Sequence, residues 1–125
     1  MTFSVVDTGK GKDGPVSGTV RKNGLVLSVQ IPTLPETGKL VEGGMGAQAR
    51  LSFEKLDQAM RAAGGSLADV MMVQVYIVES ADWAAMHQVW CDMFEAPFPT
   101  RATVVVKELM IPGMLIEIIA HAHLD

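Results

Sequence analysis

Apolar residues recur at helical spacing in two parts of the chain. Between Met45 and Ala63 they lie three and four residues apart, and charged residues fill the positions between them. A second stripe of the same spacing runs from Trp83 to Phe94 and stops before two prolines, which cannot continue a helix. The pattern predicts two amphipathic helices, the first of them ended by a pair of glycines.

Extended runs rich in β-branched residues predict six strands, because such side chains fit the pleated surface of a sheet. Asn23-Gly24 joins two of these runs and is typical of a two-residue hairpin turn. A Gly- and Lys-rich segment at 9–15 is expected to be a surface loop. Besides a short strand near the N-terminus, the predicted strands are 17–22, 25–31, 70–78, 101–107 and 114–123.

The elements follow one another in the order βββαβαββ. This order predicts an α+β fold, a mixed sheet with two helices on one face, because ββ pairs can form hairpins whereas a βαβ unit needs a crossover. We expect the last two strands to be antiparallel neighbours. A chain of 125 residues without repeats accommodates one such domain, 1–125.

The last predicted strand differs between its two faces. Its even positions, from Met114 to Ala122, are all apolar and suit the helix-covered face. Its odd positions mix apolar side chains with Glu117, His121 and His123. Such a face fits contact with another subunit or a ligand better than bulk core or open water, so we expect an oligomer.

Composition narrows the classes of partner. The chain is 49% apolar and 19% charged, has a net charge of -4 and shows no basic cluster, so we expect no nucleic-acid partner. No segment reaches the roughly 18 uncharged apolar residues of a membrane span, and none is typical of a secretion signal. The single cysteine, Cys91, excludes an internal disulfide, and a reducing cytoplasm is the expected location.

Two charged residues stand where chemistry is expected. Arg101 begins a strand after a proline-rich loop, and its planar guanidinium matches a carboxylate. The structural alternative is an ion pair with Asp92 or Glu95. Glu117 is the only charge in an apolar run, so its burial must be offset by a partner or a proton. Its structural alternative is an ion pair with Lys107 or Arg101.

Signs of a metal or nucleophile site are weaker. His121 and His123 share a strand face, but no third ligand stands at a matching offset, so we expect no metal site. Cys91 has no basic neighbour on the predicted helix to activate its thiol, which favours an inert side chain. His87 on the same helix is, taken alone, typical of a polar edge residue.

Three stretches of the sequence stand in register with one another and together cover nearly the whole chain. They are Asn23 to Pro32 with Thr37-Gly38, then Gln48 to Gly64 with Asp69-Val70, and finally Phe94 with Pro99 to Thr103 and Ile116-Glu117-Ile118. These stretches resemble the RidA (YjgF) family of imine and enamine deaminases, also called endoribonuclease L-PSP-like proteins.

The resemblance implies a RidA-like (chorismate-mutase-like) fold and a homotrimer with small-molecule clefts between subunits. It implies that Arg101 grips the carboxylate of a small substrate. It also implies that Glu117 positions the water that hydrolyses a 2-imino or enamine acid to a 2-keto acid and ammonia. No metal or organic cofactor is implied. Residues implied to line the cleft are Val16, Ser28, Val29, Gln30, His87 and Thr103.

Four cleft positions depart from the family pattern. Val16 replaces a tyrosine and Val29 a glycine, while His87 stands for an asparagine and Thr103 for a cysteine. These changes keep the carboxylate clamp but alter the size and polarity of the cleft. Two alternatives therefore stand beside the deaminase: a protein that binds a small carboxylate without turning it over, and a catabolic deaminase for a larger substrate.

Overall fold

The computed structural model describes residues 2–9 and 14–125 and confirms the predicted order of elements. Single 3-10 turns, Leu67–Asp69 and Ser80–Asp82, lead into the fourth strand and the second helix. The loop predicted at 9–15 falls partly outside the described residues. The elements are β1 (Ser4–Val5), β2 (Thr19–Lys22), β3 (Leu25–Gln30), α1 (Gly44–Ala62), β4 (Val70–Ile77), α2 (Trp83–Met93), β5 (Thr100–Val105) and β6 (Ile116–His123).

The six strands form one mixed sheet in the order β1-β2-β3-β6-β4-β5. Neighbouring strands are antiparallel except β4 and β5, which are parallel and connected through α2. The expectation that β5 and β6 are antiparallel neighbours is wrong, because β4 lies between them. A parallel pair needs a crossover, which α2 supplies, and β6 then pairs with β3 and with the free side of β4.

Both helices cover one face of the sheet, as predicted. Ile116 and Ile118 of β6 are fully buried on this face, together with the predicted stripe of α1. Phe53 of α1 packs edge-to-face against Trp90 of α2, with 5.9 Å between the ring centroids, which ties the two helices together. Within the described ranges, no helix combines the length and the apolar character that a membrane span requires.

The hairpin between β2 and β3 turns at Asn23-Gly24, as predicted, with Lys22 opposite Leu25. Asn23 adopts a left-handed φ of 52°, which asparagine tolerates better than most residues. A Cβ atom at Gly24 would lie 2.1 Å from the carbonyl oxygen of Leu124. Glycine therefore permits the chain after β6 to pack against the turn, which helps to fix the register of β3 on β6.

No helix of the described residues covers the other face of the sheet. The odd positions Glu117, Ile119 and His121 of β6 are half-buried there, and Nε2 of His121 lies 3.2 Å from Oε1 of Gln74. This mixture of polar and apolar groups agrees with the pattern predicted for the strand. The exposed large apolar side chains of this open face are Val5, Leu25, Leu27, Val29 and Val104.

Candidate functional site

Arg101 lies on the helix-covered side of β5, in register with the buried Val73 of β4. Its guanidinium carbon lies 4.7 Å from the ring centroid of Trp90 and 5.7 Å from that of Trp83, both on α2. A cation over an indole face is stabilised by the negative charge density of that face. The crossover that makes β5 parallel to β4 therefore also brings α2 against the guanidinium.

His87, one turn after Trp83 on α2, is the polar neighbour of Arg101. Its Nδ1 lies 3.1 Å from Nη2 of Arg101, and its Nε2 lies 3.6 Å from Sγ of Cys91. The imidazole stacks on the Trp83 ring, with 4.5 Å between centroids and an interplanar angle of 11°. We call Trp83, His87, Trp90, Cys91 and Arg101 the Arg101 cluster.

Arg101 makes no ion pair with any carboxylate of the described residues. Asp92, one of the two partners considered from the sequence, binds Arg50 instead at 3.3 Å. The Nη1 group of Arg101 is buried and has no hydrogen-bond partner within the described chain. Burial lowers the pKa of Arg101, because desolvation disfavours the charged form. The cluster thus presents a cation with an unused donor.

Glu117 lies on the open face of β6, opposite Tyr76 of β4 and between the buried Ile116 and Ile118. Among the described residues it has neither a hydrogen-bond partner nor an ion-pair partner. Neither Lys107 nor Arg101 reaches it, so the structural ion pair considered from the sequence does not form. The carboxylate therefore has no partner within the described part of the chain.

Glu117 borders a cleft of about 640 Å³ at the edge of the open face. We call it the Glu117 cleft. Val16, Val29 and Gln30 also line it, so four of the predicted site residues come together here. The remaining walls come from β1, from the segment before β2, from the loop after β3 and from α1, with side chains that include Val5, Val6, Ile31, Leu34 and Lys55.

Ser28 is not among the residues that line this cleft. Ser28 is 1% exposed and points to the helix-covered face, because it alternates with Val29 along β3. Its hydroxyl lies 2.9 Å from the Thr19 hydroxyl and accepts a 2.9 Å hydrogen bond from Nε2 of Gln30. Ser28 and Gln30 share the helix-covered face of β3, so the Ser28 hydroxyl holds the Gln30 amide where Gln30 borders the cleft.

Lys55 is a cleft residue that sequence reasoning missed. Its Nζ donates to the carbonyl oxygens of Ile31 and Thr33, at 2.8 Å and 3.0 Å, and lies 3.2 Å from the Thr33 hydroxyl. Burial lowers the pKa of Lys55 through desolvation. The sequence signal that could have pointed to Lys55 was its position directly before Leu56, which belongs to the buried apolar stripe of α1. Lys55 fastens the loop after β3, which forms one wall of the cleft.

The Arg101 cluster and the Glu117 cleft are well separated within one chain. Arg101 is level with Val73 of β4 and Glu117 with Tyr76, on opposite sides of that strand. Two strand spacings of about 4.8 Å and a three-residue offset of about 3.3 Å per residue separate them by roughly 14 Å. Thr103 follows Arg101 on the helix-covered side, level with Val75. Of the predicted site residues, Arg101, His87 and Thr103 lie in the Arg101 cluster or on β5. Four others lie at the Glu117 cleft: Val16, Val29, Gln30 and Glu117.

A search for metal ligands finds no group of three His, Cys, Asp or Glu side chains suited to an ion in the described part of the chain. His121, considered from the sequence together with His123, contacts the Gln74 amide. The Arg101 cluster offers a cation, and the Glu117 cleft offers a carboxylate.

Comparisons with known proteins agree with this fold. The family model of Endoribonuclease L-PSP matches residues 13–124. A 2-iminobutanoate/2-iminopropanoate deaminase of Dermatophagoides farinae is 34% identical over 97 residues, which are 77% of this chain and 76% of that protein. RidA from the Antarctic bacterium Psychrobacter sp. PAMC 21119 superposes with a TM-score of 0.86 at 33% identity, over 99% of both chains. TdcF of E. coli with bound serine superposes with a TM-score of 0.86 at 30% identity, over 100% of this chain and 99% of that one. The chain belongs to the RidA (YjgF) family, as the three stretches of its sequence predicted.

Proposed function

We propose that this chain hydrolyses a small 2-imino or enamine acid to a 2-keto acid and ammonia, in a site built by two neighbouring copies. The observation that carries the proposal is the buried Nη1 group of Arg101, which has no acceptor among the described residues. An unpaired buried donor lowers stability, because the same group is hydrogen-bonded to water in the unfolded chain. A bound carboxylate relieves that cost.

Two relatives support a ligand of this chemistry. The TdcF structure contains serine, and the mite protein is named for 2-iminobutanoate and 2-iminopropanoate. Each of these molecules carries a carboxylate next to the carbon that bears nitrogen. A guanidinium binds such a carboxylate through two parallel hydrogen bonds, which also orients the neighbouring carbon. Arg101 fits the role of the clamp for this reason.

Glu117 fits the role of the acid and base that hydrolysis requires. The imine carbon is already electrophilic, so the enzyme has to supply an oriented water and a route for two protons. As the water oxygen bonds to C2, the C=N π pair moves to nitrogen, and the Glu117 carboxylate takes one proton from the water and passes it to nitrogen, which gives the carbinolamine. Glu117 then carries the remaining hydroxyl proton to nitrogen as the C=O bond forms and the C2–N bond breaks, which leaves the keto acid and ammonia. No metal or organic cofactor is needed to balance this reaction.

The Arg101 cluster and the Glu117 cleft can act on the same substrate when they come from different copies of the chain. The apolar open face offers the surface that such copies would bury. We propose a homotrimer in which each copy presents its Arg101 cluster to one neighbour and its Glu117 cleft to the other. Contacts of this head-to-tail type close into a ring, so every site in the trimer is complete.

The proposal is tested by generating imines in place with an amino-acid oxidase and following the formation of keto acid and ammonia. With a panel of such imines, the wild-type protein should hydrolyse at least one of them faster than it hydrolyses spontaneously. Arg101→Ala should return the rate to the spontaneous level. The matched control is Arg50→Ala, which removes an exposed arginine on α1. An Arg101→Ala rate equal to that of wild type would overturn the clamp.

A second candidate is a protein that binds a small carboxylate without chemistry. The apolar cleft wall favours it, because Val16 and Val29 offer no polar group where the family pattern has a tyrosine and bare backbone. Calorimetric titration with 2-oxobutanoate separates the two candidates. Binding that depends on Arg101, with no hydrolysis of any imine in the panel, would favour this second function over the first.

A further inference from the structure

The plane of the Arg101 guanidinium and its rotation within that plane are held by different groups. The rings of Trp90 and Trp83, at 4.7 Å and 5.7 Å, hold the plane. A cation over an aromatic face has little preference for rotation about the ring normal, so stacking alone leaves the direction of the donors open. The 3.1 Å contact between Nη2 and Nδ1 of His87 is the only hydrogen bond of the guanidinium within the described chain.

Hydrogen-bond chemistry fixes the state of the imidazole in this contact. A guanidinium carries donors and no acceptor, so Nδ1 of His87 must accept and cannot carry a proton. A neutral imidazole then carries its proton on Nε2. That nitrogen faces Sγ of Cys91 at 3.6 Å, which leaves the sulfur as the acceptor. The contacts therefore run in one direction, from Arg101 through His87 to Cys91.

We propose that His87, as the neutral Nε2–H tautomer, is a positioning residue that aims Nη1 of Arg101 at the carboxylate of the ligand. This inference rests on the proposed function for its ligand, and it adds a role for His87 that differs from direct contact with substrate. The Trp83 ring, stacked on the imidazole at 4.5 Å, keeps the acceptor in place. The hydrogen bond between Nη2 and His87 orients the guanidinium, and Nη1 remains available to the ligand.

Two substitutions separate orientation from packing. His87→Phe keeps a ring that can stack on Trp83 but removes the acceptor. His87→Asn shortens the side chain but places an amide oxygen close to the position of Nδ1. Gln88→Leu is the matched control, since Gln88 is exposed on the same helix and, among the described residues, bonds only Asp92.

We expect His87→Phe to weaken binding of 2-oxobutanoate about tenfold, the effect of losing one well-oriented hydrogen bond at a charged group. His87→Asn should recover most of that loss, and Gln88→Leu should bind as wild type does. In the imine assay, His87→Phe should raise KM and change kcat little, because the water-activating Glu117 is untouched. Equal affinity of His87→Phe and wild type would overturn the proposal.

A measurement on the wild-type protein does not depend on any variant or on catalysis. Long-range ¹H–¹⁵N correlation spectra report which imidazole nitrogen carries the proton. The proposal requires the Nε2–H tautomer for His87 before ligand is added, and a proton on Nδ1 would overturn it even for an active enzyme. If Arg101→Ala binds the keto acid as tightly as wild type does, Arg101 is not the carboxylate clamp and the proposed function fails. The NMR spectra still report the tautomer of His87 independently of that result. If His87→Phe does not fold, His87→Leu replaces it.

Discussion

Arg101 and Glu117 stand on the two strands that flank β4, and their side chains leave the sheet on opposite faces. A small imino acid cannot span the roughly 14 Å and the sheet between them, a separation that follows from ordinary strand spacing. Arg101 instead lies in the cluster beside α2, and Glu117 lies at the cleft beside the end of β3. If the proposed activity exists, two copies of the chain must share each site.

Mixed oligomers test this sharing directly. Arg101→Ala and Glu117→Gln should each be inactive alone. When the two are unfolded and refolded together, a site is complete wherever an intact Arg101 meets an intact Glu117 from its neighbour. Random assembly of equal amounts makes about a quarter of the sites complete. Imine hydrolysis should therefore return to about a quarter of the wild-type rate.

The control for the mixing experiment replaces Glu117→Gln with the double variant Arg101→Ala/Glu117→Gln. No copy then supplies an intact Arg101, so no activity should return. Native mass spectrometry establishes that the copies have mixed. Mixed oligomers without recovered activity would contradict a site shared between copies.

Glu117→Gln alone separates turnover from binding. The amide keeps the size of the side chain but cannot accept the proton of the attacking water. We expect kcat to fall roughly 10²- to 10⁴-fold, the usual contribution of a positioned acid or base. The dissociation constant of 2-oxobutanoate should change less than about threefold, since the clamp of Arg101 is retained. Glu54→Gln, an exposed glutamate on α1, serves as the control; a parallel loss of binding and turnover would assign Glu117 to substrate binding instead.

The order of elements could be predicted from the sequence because it depends on local periodicity. The neighbour relation of β5 and β6 could not, since strand pairing depends on which edges remain free after the βαβ crossover forms. One signal was present. Five of the seven residues from Ile116 to Ala122 are apolar, whereas the six residues of β5 include Arg101 and two threonines, and a charged side chain suits a strand at the edge of a sheet.

The residue types of the candidate site could also be predicted, but their grouping could not. The resemblance implied that Arg101, His87 and Glu117 share one cleft between subunits, without saying which of them lie together within one copy. Strand alternation alone predicts that the side chains of Ser28 and Val29 point to opposite faces of the sheet, because consecutive strand residues face opposite sides. Lys55 escaped notice because its role is to bind backbone carbonyl oxygens of a loop, and no sequence pattern marks those.

Gln48 joins α1 to the segment that leads into β6. Its side chain donates to the carbonyl of Gly113 at 3.0 Å and accepts from the amide of Leu115 at 2.7 Å, and it is 4% exposed. Gln48→Ala leaves both backbone groups without partners, so we expect a loss of about 2–4 kcal/mol in the free energy of unfolding. Urea denaturation at fixed protein concentration measures it.

The control for Gln48→Ala is a buried hydroxyl on the same helix. Ser52 is 0% exposed, and its Oγ has no hydrogen-bond partner within the described chain. Ser52→Ala removes an unsatisfied group and raises helix propensity, so stability should stay level or increase. A loss in Ser52→Ala as large as that in Gln48→Ala would show that packing, rather than the two hydrogen bonds, accounts for the effect.

Val29 narrows the Glu117 cleft from the open face of β3, where it is 41% exposed and opposite Ile119. Val29→Gly should favour imines with longer side chains, because it removes the group that occupies their space. A shift of about tenfold in the ratio of kcat/KM between the imines of leucine and alanine is expected for a change of this size in an apolar pocket. Leu25→Gly lies on the same face outside the cleft, so it carries the same backbone cost without the gain in space. If both variants shift the ratio equally, the change in selectivity comes from the effect of glycine on the backbone of β3 and not from the space gained at the cleft wall. If neither does, the substrate side chain does not approach β3.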